Sequence, residues 1–155
     1  PRYVAYTGRS WISESPLTSY TGGPFYVRFV LDGQNQPHAL LTPVNVSWGP
    51  GYGKTKYCRR TAPGTWVAED MPDYEMYSGL YRNSSGRLVA TYYRKGEGFG
   101  LRTRSAGAIL WSKTLIEATS TGTFYRVGAM GPDDYLNVVF RSDIVPHRYL
   151  RIQLP

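Results

Sequence analysis

Among the residues of this 155-residue chain, the tyrosines, arginines and tryptophans have the types and spacing that could do chemistry, and they point to binding before catalysis. Tyr26, Tyr77 and Tyr125 recur at nearly even intervals, each near the start of an alternating segment, with Arg28 and Arg126 beside two of them. Aromatic rings offer flat apolar faces on which the C–H side of a sugar can lie, while guanidinium groups satisfy hydroxyls or acidic substituents. Gathered at one mouth of a repeat protein, such rings suit a lectin; packed between repeats, they are spacers. Trp48 and Tyr52 form a second candidate surface in the longest irregular stretch, residues 45–54. Loops carrying aromatics on a rigid scaffold are frequent binding elements, and a contact between subunits would explain them equally well.

Catalytic constellations are missing from the same inventory. Glycoside hydrolysis needs one carboxyl to protonate the leaving group while another attacks or activates water. The pairs Glu69-Asp70 and Asp133-Asp134 are adjacent in sequence, and neighbours on a strand point to opposite faces, so both read as structural. His38 and His147 come without an identifiable set of metal-ligating partners, and Gly49-Pro-Gly-Tyr-Gly-Lys54 lacks phosphate-loop spacing. Cys58 is the single cysteine, which excludes an internal disulfide and a cysteine metal cluster and leaves it as a small apolar packing group. No catalytic residue, metal or cofactor is assigned. The net charge of +7, scattered in ones and twos, draws anionic partners such as an acidic polysaccharide; no motif supports nucleic acid.

The elements that must position these residues are short strands. Aromatic, glycine and proline contents are high, a composition of strands joined by turns. Alternation and turn residues predict strands over residues 3–6 and 12–17, 25–31 and 38–42, 56–60 and 66–71, 76–81 and 88–93, 101–104 and 111–117, 124–130 and 136–140, and 148–152, with no helix. The length fits one domain, 1–155. No segment is long and apolar enough to span a membrane, so a soluble chain is expected, and an extracellular, virion or cell-surface setting is favoured. Residues 101–117, 3–17 and 57–71 share one order: strand, tight turn, tryptophan, strand, with a glutamate soon after the tryptophan. This repetition divides the chain into units of about 3–55, 56–100 and 101–147, with 148–152 an extra strand.

Thr103-x-Ser105-x-Gly107-x-x-x-Trp111, with more degraded copies ending at Trp66 and Trp11, resembles the degenerate Asp-box repeat of sialidase-like β-propellers. In that family a Ser-x-Asp-x-Gly-x-x-Trp turn joins the third and fourth strands of a blade; here serine replaces aspartate and one residue is added. The resemblance implies an all-β fold of three four-stranded antiparallel β-propeller-like blades, with Trp111 as a hydrophobic pin between outer strands. Known propellers have about four to eight blades, so closure is expected only by homo-oligomerisation, as a dimer or trimer, unless the chain is part of a longer protein. A β-trefoil is the alternative fold. A sialidase-like site would need three arginines, a tyrosine activated by glutamate, and an acidic residue. Tyr125-Arg126-Val127-Gly128 comes near the family's Phe/Tyr-Arg-Ile-Pro motif, with glycine for proline, but three blades give no complete set. The expected function is a non-enzymatic, self-assembling module for glycan or surface recognition, or a structural component. The alternative is a fragment of a sialidase-like glycoside hydrolase or polysaccharide lyase.

Overall fold

The computed structural model describes residues 1–17, 25–43, 54–72, 75–118, 125–141 and 148–154. Trp48, Tyr52 and His147 lie outside these residues, as do the side chains of Tyr125 and Arg126. The described chain is all-β, in the order β1 (Tyr3–Tyr6), β2 (Trp11–Glu14), β3 (Phe25–Leu31), β4 (Pro37–Pro43), β5 (Lys56–Ala62), β6 (Thr65–Asp70), β7 (Met76–Arg82), β8 (Leu88–Arg94), β9 (Gly98–Arg104), β10 (Ser112–Ala118), β11 (Tyr125–Met130), β12 (Tyr135–Arg141) and β13 (Arg148–Gln153). All pairings are antiparallel between sequence neighbours. They build a two-stranded hairpin β1-β2, four-stranded sheets β3-β4-β5-β6 and β7-β8-β9-β10, and a three-stranded sheet β11-β12-β13. Each sheet is open among the described residues, so the single closed barrel that a trefoil would require is not formed.

The predicted strands are present, with ends moved by a few residues. Pro43, one residue beyond the predicted 38–42, is the last residue of β4, facing Phe25 across the edge pair. The strand over 148–152, which had no place in the sequence repeat, is β13, the third strand beside β12. Hydrogen bonding also shifts the frame of the repeat. The sheets run over 25–70, 76–118 and 125–153, so each of the two larger ones joins the second half of one sequence unit to the first half of the next.

The chain divides into two compact units, Pro1–Asp73 and Tyr74–Pro155. In the first, Ala39, Leu41 and Cys58 are buried on one face of the β3–β6 sheet, with Leu17 and Trp66 packed against them. Cys58 is a core residue, and its burial pushes the thiol up to about 11, which keeps it protonated and unreactive at neutral pH. In the second unit, Val89, Phe99 and Leu101 of the β7–β10 sheet meet Leu136, Val138 and Leu154 of the following segment. Two sheets packed through alternating apolar side chains are the physical basis of this core. β11 also runs beside β7. Their approach depends on Gly128, where a Cβ would come 2.5 Å from the Tyr81 hydroxyl oxygen and 3.2 Å from the Asn137 carbonyl oxygen.

Candidate functional site

Glu14 ends β2, and strand alternation turns it with Tyr3, Ala5 and Ile12 inward, leaving Val4, Tyr6, Trp11 and Ser13 outward. Arg60 and Trp66 are cross-strand partners on β5 and β6. The three side chains meet in a saturated carboxylate clamp. Arg60 donates through Nε to Oε2 at 2.8 Å and through Nη2 to Oε1 at 2.6 Å; Trp66 Nε1 donates to Oε2 at 2.8 Å, and the Gly64 amide to Oε1 at 2.9 Å. The Arg60 hydrogen bond, opposed by burial and helped by the Gly64 and Trp66 donors, lowers the Glu14 carboxyl from 4.5 to about 2. Tyr3 completes the cluster, edge-on to Trp66 at 5.5 Å and under the Arg60 guanidinium at 5.9 Å. With its acceptors occupied, Glu14 joins hairpin to sheet and does not exchange protons near neutral pH.

The second unit holds a more deeply buried counterpart. Glu75 precedes β7, and its side chain is 0% exposed. Arg102 of β9 donates to it through Nε at 3.0 Å and Nη2 at 2.6 Å, and the Tyr77 hydroxyl donates at 2.5 Å. Burial first, and then the Glu75 carboxylate, drive the Tyr77 phenol far above its ordinary value, so it stays a protonated donor. This is the opposite of the ionised phenol that a tyrosine nucleophile needs. Tyr92, the cross-strand partner of Tyr77, lies under both the Arg102 guanidinium and the Lys113 ammonium, each 5.6 Å from the ring centroid. Lys113 pairs with Glu97, whose carboxyl also accepts from the Tyr92 hydroxyl at 3.2 Å. The cluster alternates cations with rings and carboxylates, an arrangement that satisfies buried charge.

A third chain of polar groups runs from Asp32 through His38 to Tyr57. His38 Nε2 is 3.4 Å from Asp32 Oδ2, and Nδ1 is 2.5 Å from the Tyr57 hydroxyl. Burial opposes the Asp32 charge, but the Gln36 and Gln34 amides and His38 together lower its pKa. Tyr57 is fully buried, so this relay of carboxylate, imidazole and phenol reaches no solvent at its far end. It fixes the turn between β3 and β4.

The residues singled out for ligand binding fall into three groups. Tyr26 and Arg28 are brought together, two residues apart on one face of β3, and Tyr26 is 52% exposed. Arg28 Nη1 donates to the Val27 carbonyl at 3.0 Å. Tyr77 is buried, its hydroxyl on Glu75 and its ring 6.3 Å from Tyr92, so its ring presents no open face in this chain. Tyr125 and Arg126 open β11 opposite Arg141 and Phe140. Trp48 and Tyr52 are outside the described residues. The adjacent acidic pairs do separate work, as expected: Asp70 pairs with Lys56, Asp133 with Arg151, and Asp134 accepts from the Ser84 amide at 2.7 Å. Among the described residues no group of histidine, cysteine and carboxylate side chains could hold a metal ion.

Sequence reasoning missed Glu14, Arg60, Glu75 and Arg102 as partners. One signal was present, the glutamate that follows each turn tryptophan. Glu14 reaches Arg60 on the third strand of the following sheet, and Glu117 likewise reaches Arg148 of β13 at 3.0 Å. No protein-family model matches the chain, and no curated protein matches it. No helix among the described residues is long and apolar enough to cross a membrane.

Proposed function

We propose that this chain is a non-enzymatic, self-assembling β-propeller module that recognises glycans or a glycan-bearing surface, its sheets acting as blades completed by further copies. The observation that carries this reading is β3. It is an edge strand paired only with β4 among the described residues, and it is apolar on both faces. Tyr26, Val27, Phe29 and Leu31 are all exposed. Edge strands are ordinarily short, charged, bulged or covered, because a bare edge templates pairing with another chain. β3 has seven residues and a single charge, Arg28. The successive antiparallel meanders and the Trp-turn repeat support blades, and the exposed pair Tyr26 and Arg28 supports a glycan contact on the same strand.

Sedimentation equilibrium together with a glycan array tests the proposal. The expected result is one species at two or three times the chain mass, with glycan signal reduced about tenfold by Tyr26→Ala. Phe29→Lys and Val27→Lys should shift the protein to monomer while far-UV circular dichroism stays unchanged. A wild-type chain that is monomeric at every concentration and binds no glycan overturns the reading and favours a fragment of a larger hydrolase or lyase.

A further inference from the structure

We infer that the outer face of the β1-β2 hairpin is a binding stripe for an acidic polysaccharide. This deepens the glycan-recognition reading and rests on it, but uses residues other than Tyr26 and Arg28. Strand register places Val4 opposite Ser13 and Tyr6 opposite Trp11, so these four side chains share the outer face. Trp11 is 72% exposed, the most exposed aromatic among the described residues, and Val4 and Tyr6 are also more than half exposed. A large indole on a two-stranded hairpin, facing water, is costly to leave uncovered.

The pair is ordered in advance. The Tyr6 and Trp11 rings brace each other with centroids 5.3 Å apart and planes tilted by 47°. The Tyr6 hydroxyl donates to the Gly8 carbonyl at 3.1 Å, which pins the ring over the turn. The turn is closed by the Thr7 amide on the Ser10 carbonyl at 2.9 Å, with Gly8 at φ +88°. Little conformational freedom is therefore lost when a ligand stacks on these rings.

Charge then selects the class of ligand. Arg9 stands in the turn beyond the aromatic pair, and Arg2 lies at the opposite end, its Nη1 donating to Ser13 Oγ at 3.4 Å. Arg2 and Tyr6 are four residue steps apart along the chain, so the stripe is roughly 13 Å long from cation to ring. Glu14 is the only acidic residue in the first 17 positions, and its carboxylate is turned inward and occupied by Arg60, Gly64 and Trp66. Among the described residues neither Arg2 nor Arg9 has an ion-pair partner. The hairpin thus offers an aromatic pair on its outer face, with Arg2 at one end of the strand pair and the exposed Arg9 in the turn at the other. Sugar rings stack by their C–H faces on such a pair, and carboxylate or sulfate substituents meet the arginines bidentately. Single-stranded nucleic acid uses stacking and cations too, but it favours successive separate platforms, whereas these two rings lean together as one roof.

The test compares dextran sulfate, neutral dextran and oligo(dT) by biolayer interferometry on the full chain. Dextran sulfate should bind, weaken with added salt, and lose about tenfold in affinity on Trp11→Ala. Arg9→Ala should cost several-fold. Because Trp11 and Arg9 are solvent-exposed, unchanged circular dichroism confirms that each variant is folded. Wild-type affinity in both Trp11→Ala and Arg9→Ala overturns the stripe. Loss on Tyr26→Ala alone does so too while leaving the broader reading standing. Oligo(dT) bound more tightly than either polysaccharide overturns the ligand class, and failure of the wild type to bind either dextran, with a blank glycan array, removes the glycan reading itself.

Discussion

The first strands of the two four-stranded sheets, β3 and β7, occupy the same place in the same meander and have opposite fates. β7 carries the less apolar sequence, Met-Tyr-Ser-Gly-Leu-Tyr-Arg, yet Tyr77 and Leu80 are buried, with β11 alongside and Tyr81 resting on Gly128. β3 reads Phe-Tyr-Val-Arg-Phe-Val-Leu and stays open on both faces. The anchoring charges follow the same division. In the second unit the Glu75–Arg102 pair ties the start of β7 to β9; in the first, Glu14 and Arg60 tie the far side of the sheet, β5 and β6, to the hairpin. Hydrophobicity of a strand therefore does not decide its burial; the neighbour supplied to it does. A strand more apolar than its covered twin and left bare is the surface that the proposed assembly would cover.

Three substitutions test this contrast. Removing the guanidinium that neutralises Glu75 should have the largest effect, since it strands a buried carboxylate. Arg102→Ala is expected to cost about 3–5 kcal/mol in urea unfolding, whereas a loss below about 1 kcal/mol would mean that the start of β7 is wetter than the burial of Glu75 implies. Next, Leu80→Ala should cost about 2–3 kcal/mol, because Leu80 is 6% exposed, while Phe29→Ala, at 64% exposed, should stay within about 0.5 kcal/mol in dilute solution. A Phe29→Ala loss that grows with protein concentration toward the Leu80 value would show assembly covering β3.

A smaller effect than that of either buried position concerns the clamp. Glu14→Gln is expected to cost about 1.5 kcal/mol at pH 7. Its folded pKa lies below its unfolded one, so the stabilisation is fully present above 4.5 and is lost as pH falls toward about 2. The difference in thermal midpoint between wild type and Glu14→Gln should therefore be flat from pH 7 to 5 and close below that. A gap that persists at pH 2 would refute the ionic account.

Much of the fold was legible because it is local. Period-2 alternation located residues 25–31 without error, and turn residues such as Gly8, Gly86 and Gly107, all at positive φ, marked where strands reverse. The place of 148–152 was not legible, because pairing of β13 with β12 depends on register across the connection between them and not on any motif. The tryptophans show the limit more sharply. Trp111, expected as an apolar pin, lies half-buried with the Arg104 guanidinium 5.7 Å from its ring centroid; Trp66 donates to Glu14 from 52 residues away; and Trp11 faces solvent. Three copies of one local pattern have three environments, since a side chain's surroundings are set by whichever strand crosses it.

By itself the sequence determined an all-β chain of short antiparallel strands with a recurring Trp-turn unit, because strand and turn formation depend on alternation and backbone freedom within a few residues. Tertiary structure alone decided that Glu14 and Glu75 are occupied anchors, that Tyr77 is a packed donor, and that β3 and the hairpin's outer face are left open. The two anchors depend on contacts between residues 27 to 52 positions apart, where burial and ion pairing are fixed by geometry that no local spacing encodes.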